Sequence, residues 1–163
     1  LWHVCTGVIA PDKCESNTDA QNLTRFEGSG ITGGDKIQGN LHQARISILD
    51  GSSVTQRHLN KHINYSVLPA PAGVKAYSLA TPVDMVITAN GRVLHVAAFG
   101  SGKVGVFDTA VLEADSFNPT ADSTNYISLS GGGPTGLALD EANSRPCIRR
   151  LRRALLGLGR SRR

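Results

Sequence analysis

A short pattern occurs twice in this chain, 52 residues apart, and the second copy stops partway. The first copy runs Pro82-Val83-Asp84-Met85-Val86-Ile87-Thr88-Ala89-Asn90-Gly91-Arg92-Val93-Leu94. The second runs Pro134-Thr135-Gly136-Leu137-Ala138-Leu139-Asp140-Glu141-Ala142-Asn143-Ser144-Arg145, then turns at Pro146 into an arginine-rich tail. A repeat of about 50 residues made of short strands restricts a chain to a stacked or radial β architecture, because one unit cannot bury its apolar faces alone.

The best-patterned stretch is 82–108. Met85-Val86-Ile87 reads as a strand, Asn90-Gly91 as a two-residue type I′ turn and Val93 to Phe99 as the returning strand. After Gly100-Ser101-Gly102, Lys103-Val104-Gly105-Val106-Phe107-Asp108 reads as a third strand. It matches Arg45-Ile46-Ser47-Ile48-Leu49-Asp50 in order: basic, β-branched, small, β-branched, apolar, Asp. A polar loop over 109–124 leads to a fourth strand, Tyr126 to Leu129. The unit is a four-stranded antiparallel meander, the size of a β-propeller blade. Outside it, 1–43 reads as a Gly-rich irregular segment holding at most one short strand. Within the partial propeller, 44–145, residues 55–80 read as an insertion. There Arg57 to Tyr65 would form a short helix, and Pro69 and Pro71 would force extended backbone.

Leu94-His95-Val96-Ala97, Val104-Gly105-Val106-Phe107-Asp108 and Pro134-Thr135-Gly136-Leu137-Ala138 together resemble the YVTN-type β-propeller repeat. The sequence departs from that pattern where His95 replaces the usual Tyr and Asp84 the usual Gly. It departs again where Pro146-Cys147-Ile148-Arg149 stands in place of Leu-x-Val. The resemblance implies an all-β fold of antiparallel four-stranded meanders of β-propeller blade type, present as an incomplete propeller fragment. It also implies a non-catalytic binding or scaffold role in a larger extracytoplasmic bacterial protein, periplasmic or extracellular. The partners would be the remaining blades or a partner protein. Some relatives accompany cytochrome c modules. The alternative is therefore a module of a redox or metal-dependent enzyme, with His58 and His62 near a metal or haem held by another module.

Charge divides the chain. Residues 145–163 hold eight arginines and no acid, whereas 1–144 hold nine basic and thirteen acidic residues, a net of −4 within a total of +4. The body offers no basic footprint for specific nucleic-acid binding. The segment 146–163, with Arg149, Arg150, Arg152 and Arg153, reads either as an anion-binding arm for phosphates or lipid headgroups or as a non-native or disordered tail. No apolar run reaches the length of a membrane span, and no basic-then-apolar secretory leader is visible. Cys5 and Cys14 would pair in an oxidising compartment, leaving Cys147. Neither CxxC nor CxxCH occurs, so no zinc ribbon and no covalent haem site is encoded, and no cofactor is expected in this chain itself.

Gly28-Ser29-Gly30-Ile31-Thr32-Gly33 fits GxGxxG, but Gly34 and Gly39 follow where a helix should open, so it reads as a glycine-rich turn. His58 and His62 stand at i, i+4, which on a helix places two metal ligands on one face, with His42 and His95 as possible additions. Arg57 and Lys61 flank the pair and oppose a cation. His95 should face away from Leu94 and Val96 and pack in place of a tyrosine. Asp50 and Asp108 are candidate turn caps. Asp84, Asp108, Asp140 and Glu141 are oxygen donors of the kind calcium takes, without an EF-hand string. There is no GxSxG elbow. Asn22-Leu23-Thr24 and Asn64-Tyr65-Ser66 fit the glycosylation sequon.

Overall fold

The computed structural model describes residues 3–5, 13–20, 42–65, 67, 70–140, 142 and 145–150. Ten strands among these residues form three antiparallel sheets. Sheet A contains β1 (His3–Cys5), β2 (Lys13–Ala20), β3 (His42–Asp50) and β4 (Ser53–His58), paired in chain order. Sheet B contains β5 (Pro82–Ile87), β6 (Val93–Ala98), β7 (Lys103–Asp108) and β8 (Ile127–Ser128), also in chain order. Sheet C pairs β9 (Pro134–Asp140) with β10 (Arg145–Arg150). The chain is all-β, with four-stranded antiparallel meanders as its units. Arg45–Asp50 and Lys103–Asp108, matched in sequence, occupy the third strands of consecutive sheets.

The alternation of each strand sets which face goes where. Ala44, Ile46 and Ile48 of β3 join Met85, Leu94, Val96, Ala98 and Phe107 of sheet B in one buried cluster, so this face of sheet A packs on one face of sheet B. Asp84, Val86, His95, Ala97, Val104 and Val106 lie on the opposite face of sheet B by register. That face looks toward sheet C, because the Leu137 amide of β9 donates to Asp84 Oδ2 at 2.7 Å. The β-branched positions of the third strand thus point in the same sense in both sheets: Ile46 and Ile48 toward sheet B, Val104 and Val106 toward sheet C. Gly105 lies on the other face of β7, where an added Cβ would come within 2.7 Å of Leu79 Cδ1 and 2.8 Å of Phe107 Cε2. Strand β5 touches β1 and β2 on one side and β9 on the other.

Four local expectations are corrected. Strands β1 and β2 lie within the segment 1–43 that reads as irregular. Strand β2, Lys-Cys-Glu-Ser-Asn-Thr-Asp-Ala, has no apolar alternation, yet backbone pairing to β1 and β3 holds it, and Ser16 is buried. Residues 53–58 are the fourth strand of sheet A, so no helix spans Arg57 to Tyr65. Gly51, at φ 55, opens a two-residue turn that returns the chain along β3. The Asn90-Gly91 turn is not type I′, because Asn90 does not take positive φ while Gly91 does, at 70°. Residues 89–92 form a longer loop, in which Asn90 Oδ1 accepts from Thr88 Oγ1 at 2.8 Å and from the Arg92 amide at 3.0 Å. At its base the Thr88 amide donates to Val93 O at 2.9 Å, and the Val93 amide donates to Thr88 Oγ1 at 3.0 Å in place of the backbone carbonyl. Finally, 145–150 do not leave the fold. They form β10, in which Pro146 is tolerated because it lies on the edge of a two-stranded sheet.

The polar stretch 109–124 carries two short helices, α2 (Thr109–Glu113) and α3 (Pro119–Asp122). Asp108 caps α2 by accepting from the Val111 amide at 3.2 Å, as its place at the strand end predicts. The connection 59–81 carries one further turn of helix, α1 (Val74–Tyr77). It is tied down by Asn60, whose amide donates to Leu79 O at 2.7 Å and accepts from Leu79 N at 2.8 Å. Both Leu59 and Leu79 are fully buried in the cluster.

Candidate functional site

The two histidines of the metal hypothesis meet at the corner where β4 passes into the connection 59–81. His58 ends β4, opposite Arg45 in the ladder, and His62 lies in the turn that follows. No helix places them on one face. His58 Nε2 is 3.3 Å from the Tyr65 hydroxyl. His62 Nε2 is 3.2 Å from both Val74 O and Ser78 Oγ, and its ring meets Tyr77 edge-on at 5.9 Å. Each ring therefore spends its Nε2 on a different protein partner. Burial lowers the His58 pKa, and Arg45, His62 and Lys61 lower it further by their charge. Burial raises the Tyr65 hydroxyl. Among the described residues, no group of three or more His, Cys, Asp or Glu is placed to hold a metal ion.

The flanking cations have work of their own. Arg57 Nε donates to Leu112 O at 2.9 Å and Nη2 donates to Glu113 O, so its guanidinium closes the C-terminal end of α2. Lys61 Nζ donates to Asp115 O at 2.8 Å, pairs with Asp115 Oδ1 at 2.9 Å, and sits 3.9 Å from the centre of the Phe117 ring. Cations suit the carbonyl-rich end of a helix. The corner thus ties the outer strand of sheet A to the outer loop of sheet B. Its cations are committed to carbonyls and to a carboxylate rather than to a ligand. On the face of sheet A opposite Arg57, beside His58, Arg45 donates to Gln56 and pairs with Asp19 at 2.5 Å, and Asn17 donates to Ser47 Oγ at 2.6 Å.

The junction of sheets B and C is the second place where polar groups converge. Asp84 Oδ1 accepts from the Met85 amide at 2.9 Å, while Oδ2 accepts from the Leu137 amide, so both carboxylate oxygens are committed to backbone. Asp84 and Gly136 are equivalent positions of the repeat, and the departure from Gly at 84 marks this inter-sheet bond. His95 lies on this face as expected. It is buried, its Nδ1 lacks a partner, and burial lowers its pKa. Asp140 stands opposite Arg145 in the ladder.

Arg145, Cys147 and Arg149 alternate onto the exposed side of β10. Of the proposed arm, Arg149 and the backbone of Arg150 belong to this strand, whereas Arg152 and Arg153 lie outside the described residues, as do Glu141 and the GxGxxG segment 28–33. The metal reading missed the Asn60–Leu79 clamp and the Asp84 bond. Only the Asp84 bond had a sequence signal, the broken repeat position.

No family model matches the sequence, and no curated protein is recognisably similar to it. Among solved structures, a chain of Kuenenia stuttgartiensis hydrazine synthase is similar in fold, with a TM-score of 0.52 at 14% identity. The match covers 91% of this chain and 45% of that one, so the chain spans less than half the length of its structural neighbour.

Proposed function

We propose that this chain is a non-catalytic binding or scaffold module built as consecutive blades of a YVTN-like β-propeller, within a larger periplasmic or extracellular protein. One observation carries the reading. Third strands of matching sequence present their β-branched residues in the same sense, each toward the following sheet, as blades repeated about an axis must. The partners are further blades, received at the two outer sheets. No helix among the described residues is long and apolar enough to cross a membrane. Sedimentation velocity over a range of concentrations, followed by electron microscopy of the associated fraction, tests the reading. The expected result is association into ring-like particles, because open sheet edges pair. A chain that stays monomeric at every concentration overturns it.

A second reading draws on the likeness to a chain of hydrazine synthase. In it the module serves a redox or metal-dependent enzyme, and His58 and His62 approach a metal or haem held elsewhere. The corner supplies little support, since both rings are engaged and surrounded by cations. Uptake of one equivalent of added zinc or haemin by the purified protein, lost on His58→Ala, would support this reading; no uptake at any concentration would end it.

A further inference from the structure

Strand β1 is three residues long, lies at the edge of sheet A and is paired by β2 alone. So short a strand gains little from its ladder against the entropy of being fixed. One of its three register positions sets Cys5 directly opposite Cys14. Directly opposed positions of an antiparallel pair share one face of the sheet, and their Cα atoms lie about 4.5–5.5 Å apart. That spacing falls inside the range of roughly 4.4–6.8 Å between the Cα atoms of a disulfide, so the register brings the two within reach of a bridge. Cys14 is half-buried and packs against the apolar cluster, and β1 and β2 are the strands of sheet A that touch β5. The pair therefore sits where the first sheet meets the second. Cys147 belongs to sheet C, opposite Ala138, and is exposed.

We propose that Cys5 and Cys14 are joined as a cross-strand disulfide that staples β1 to β2 at the junction of the first two sheets. The inference rests on register alone and stands or falls apart from the propeller reading. The two thiols lose two protons and give up two electrons to a disulfide oxidant such as oxidised glutathione. A mixed disulfide forms first, the second thiolate displaces it, and two molecules of glutathione thiol leave. A bond of this kind persists in an oxidising compartment and is reduced in the cytosol.

The test is made on the full chain purified in the presence of oxidised glutathione, then denatured and alkylated without a reductant. One alkylated cysteine per chain, Cys147, is expected, together with a tryptic species linking residues 1–13 to residues 14–25 that separates on reduction. Three alkylated cysteines, or a link through Cys147, would overturn the proposal. This readout does not depend on any variant folding. As a second measurement, Cys5→Ser, Cys14→Ser and the double variant should lower the urea midpoint by the same amount, since each removes the same bond. Additive losses, or no loss, would show that the bond does not act as a staple.

Discussion

At the scale of single residues, two buried polar side chains hold the structure by opposite means. Asn60 satisfies both the amide and the carbonyl of Leu79, and both residues are buried. Asn60→Ala should cost about 2–4 kcal/mol, because it leaves two buried backbone groups unmet. A urea titration reads this as a lowered midpoint; an unchanged midpoint would mean that the connection 59–81 contributes nothing to the core. His95 is buried with Nδ1 unpaired, so the neutral ring is favoured and the folded pKa lies below the ordinary value of 6.5. The unfolded chain then binds the proton more readily than the native one. Stability is complete above the ordinary value and falls as pH drops through it toward the lowered native pKa. His58 shifts in the same direction. The urea midpoint should therefore fall between about pH 7 and about pH 5, and His95→Phe should remove part of that fall. A variant with the same pH slope as the parent would exclude His95 as a source.

At the scale of elements, α2 depends on side chains from another sheet. Its five residues are too few to persist alone, since helix nucleation is costly. Asp108 caps its start, while Arg57 and Lys61, from β4 and the turn after it, hold its end and the carbonyl of Asp115 beyond it. Arg57→Ala should cost about 1–2 kcal/mol through the lost charge-assisted bonds. Lys61→Ala should be coupled to it, because both cations anchor one short loop, and a double-mutant cycle measures the coupling. Strictly additive losses would show two independent contacts. The sequence marked Arg57 and Lys61 as cations that repel a metal. What they grip lies 54 or more positions away and was not legible, because polar backbone acceptors carry no sequence pattern.

Across the whole molecule, burial is uneven. The cluster that joins sheets A and B contains Ile46, Leu59, Leu79, Leu94 and Val96, all fully buried, whereas Leu137, Leu139 and Ile148 of sheet C are only partly covered. Local opening free energy follows buried apolar contact. Hydrogen exchange should therefore release the amides of β9 and β10 before those of β3 and β6. Asp84→Ala should hasten exchange in β9 and leave β3 unchanged. Equal protection in all three sheets would contradict this gradient.

Some of this was present in the residues themselves. The repeat beginning at Pro82 and Pro134 and the match between 45–50 and 103–108 specified antiparallel meanders, because strand alternation and glycine turns are local signals that survive without context. Tertiary structure decided the rest. It made a strand of the polar segment 13–20 and another of 53–58, where ladder bonds to β3 outweigh weak propensity. It separated His58 from His62 by ending a strand between them, and it turned Asp84 from a repeat defect into a bond between sheets. Those outcomes depend on which backbone groups remain unpaired once the sheets stack, and that becomes fixed only when distant segments meet.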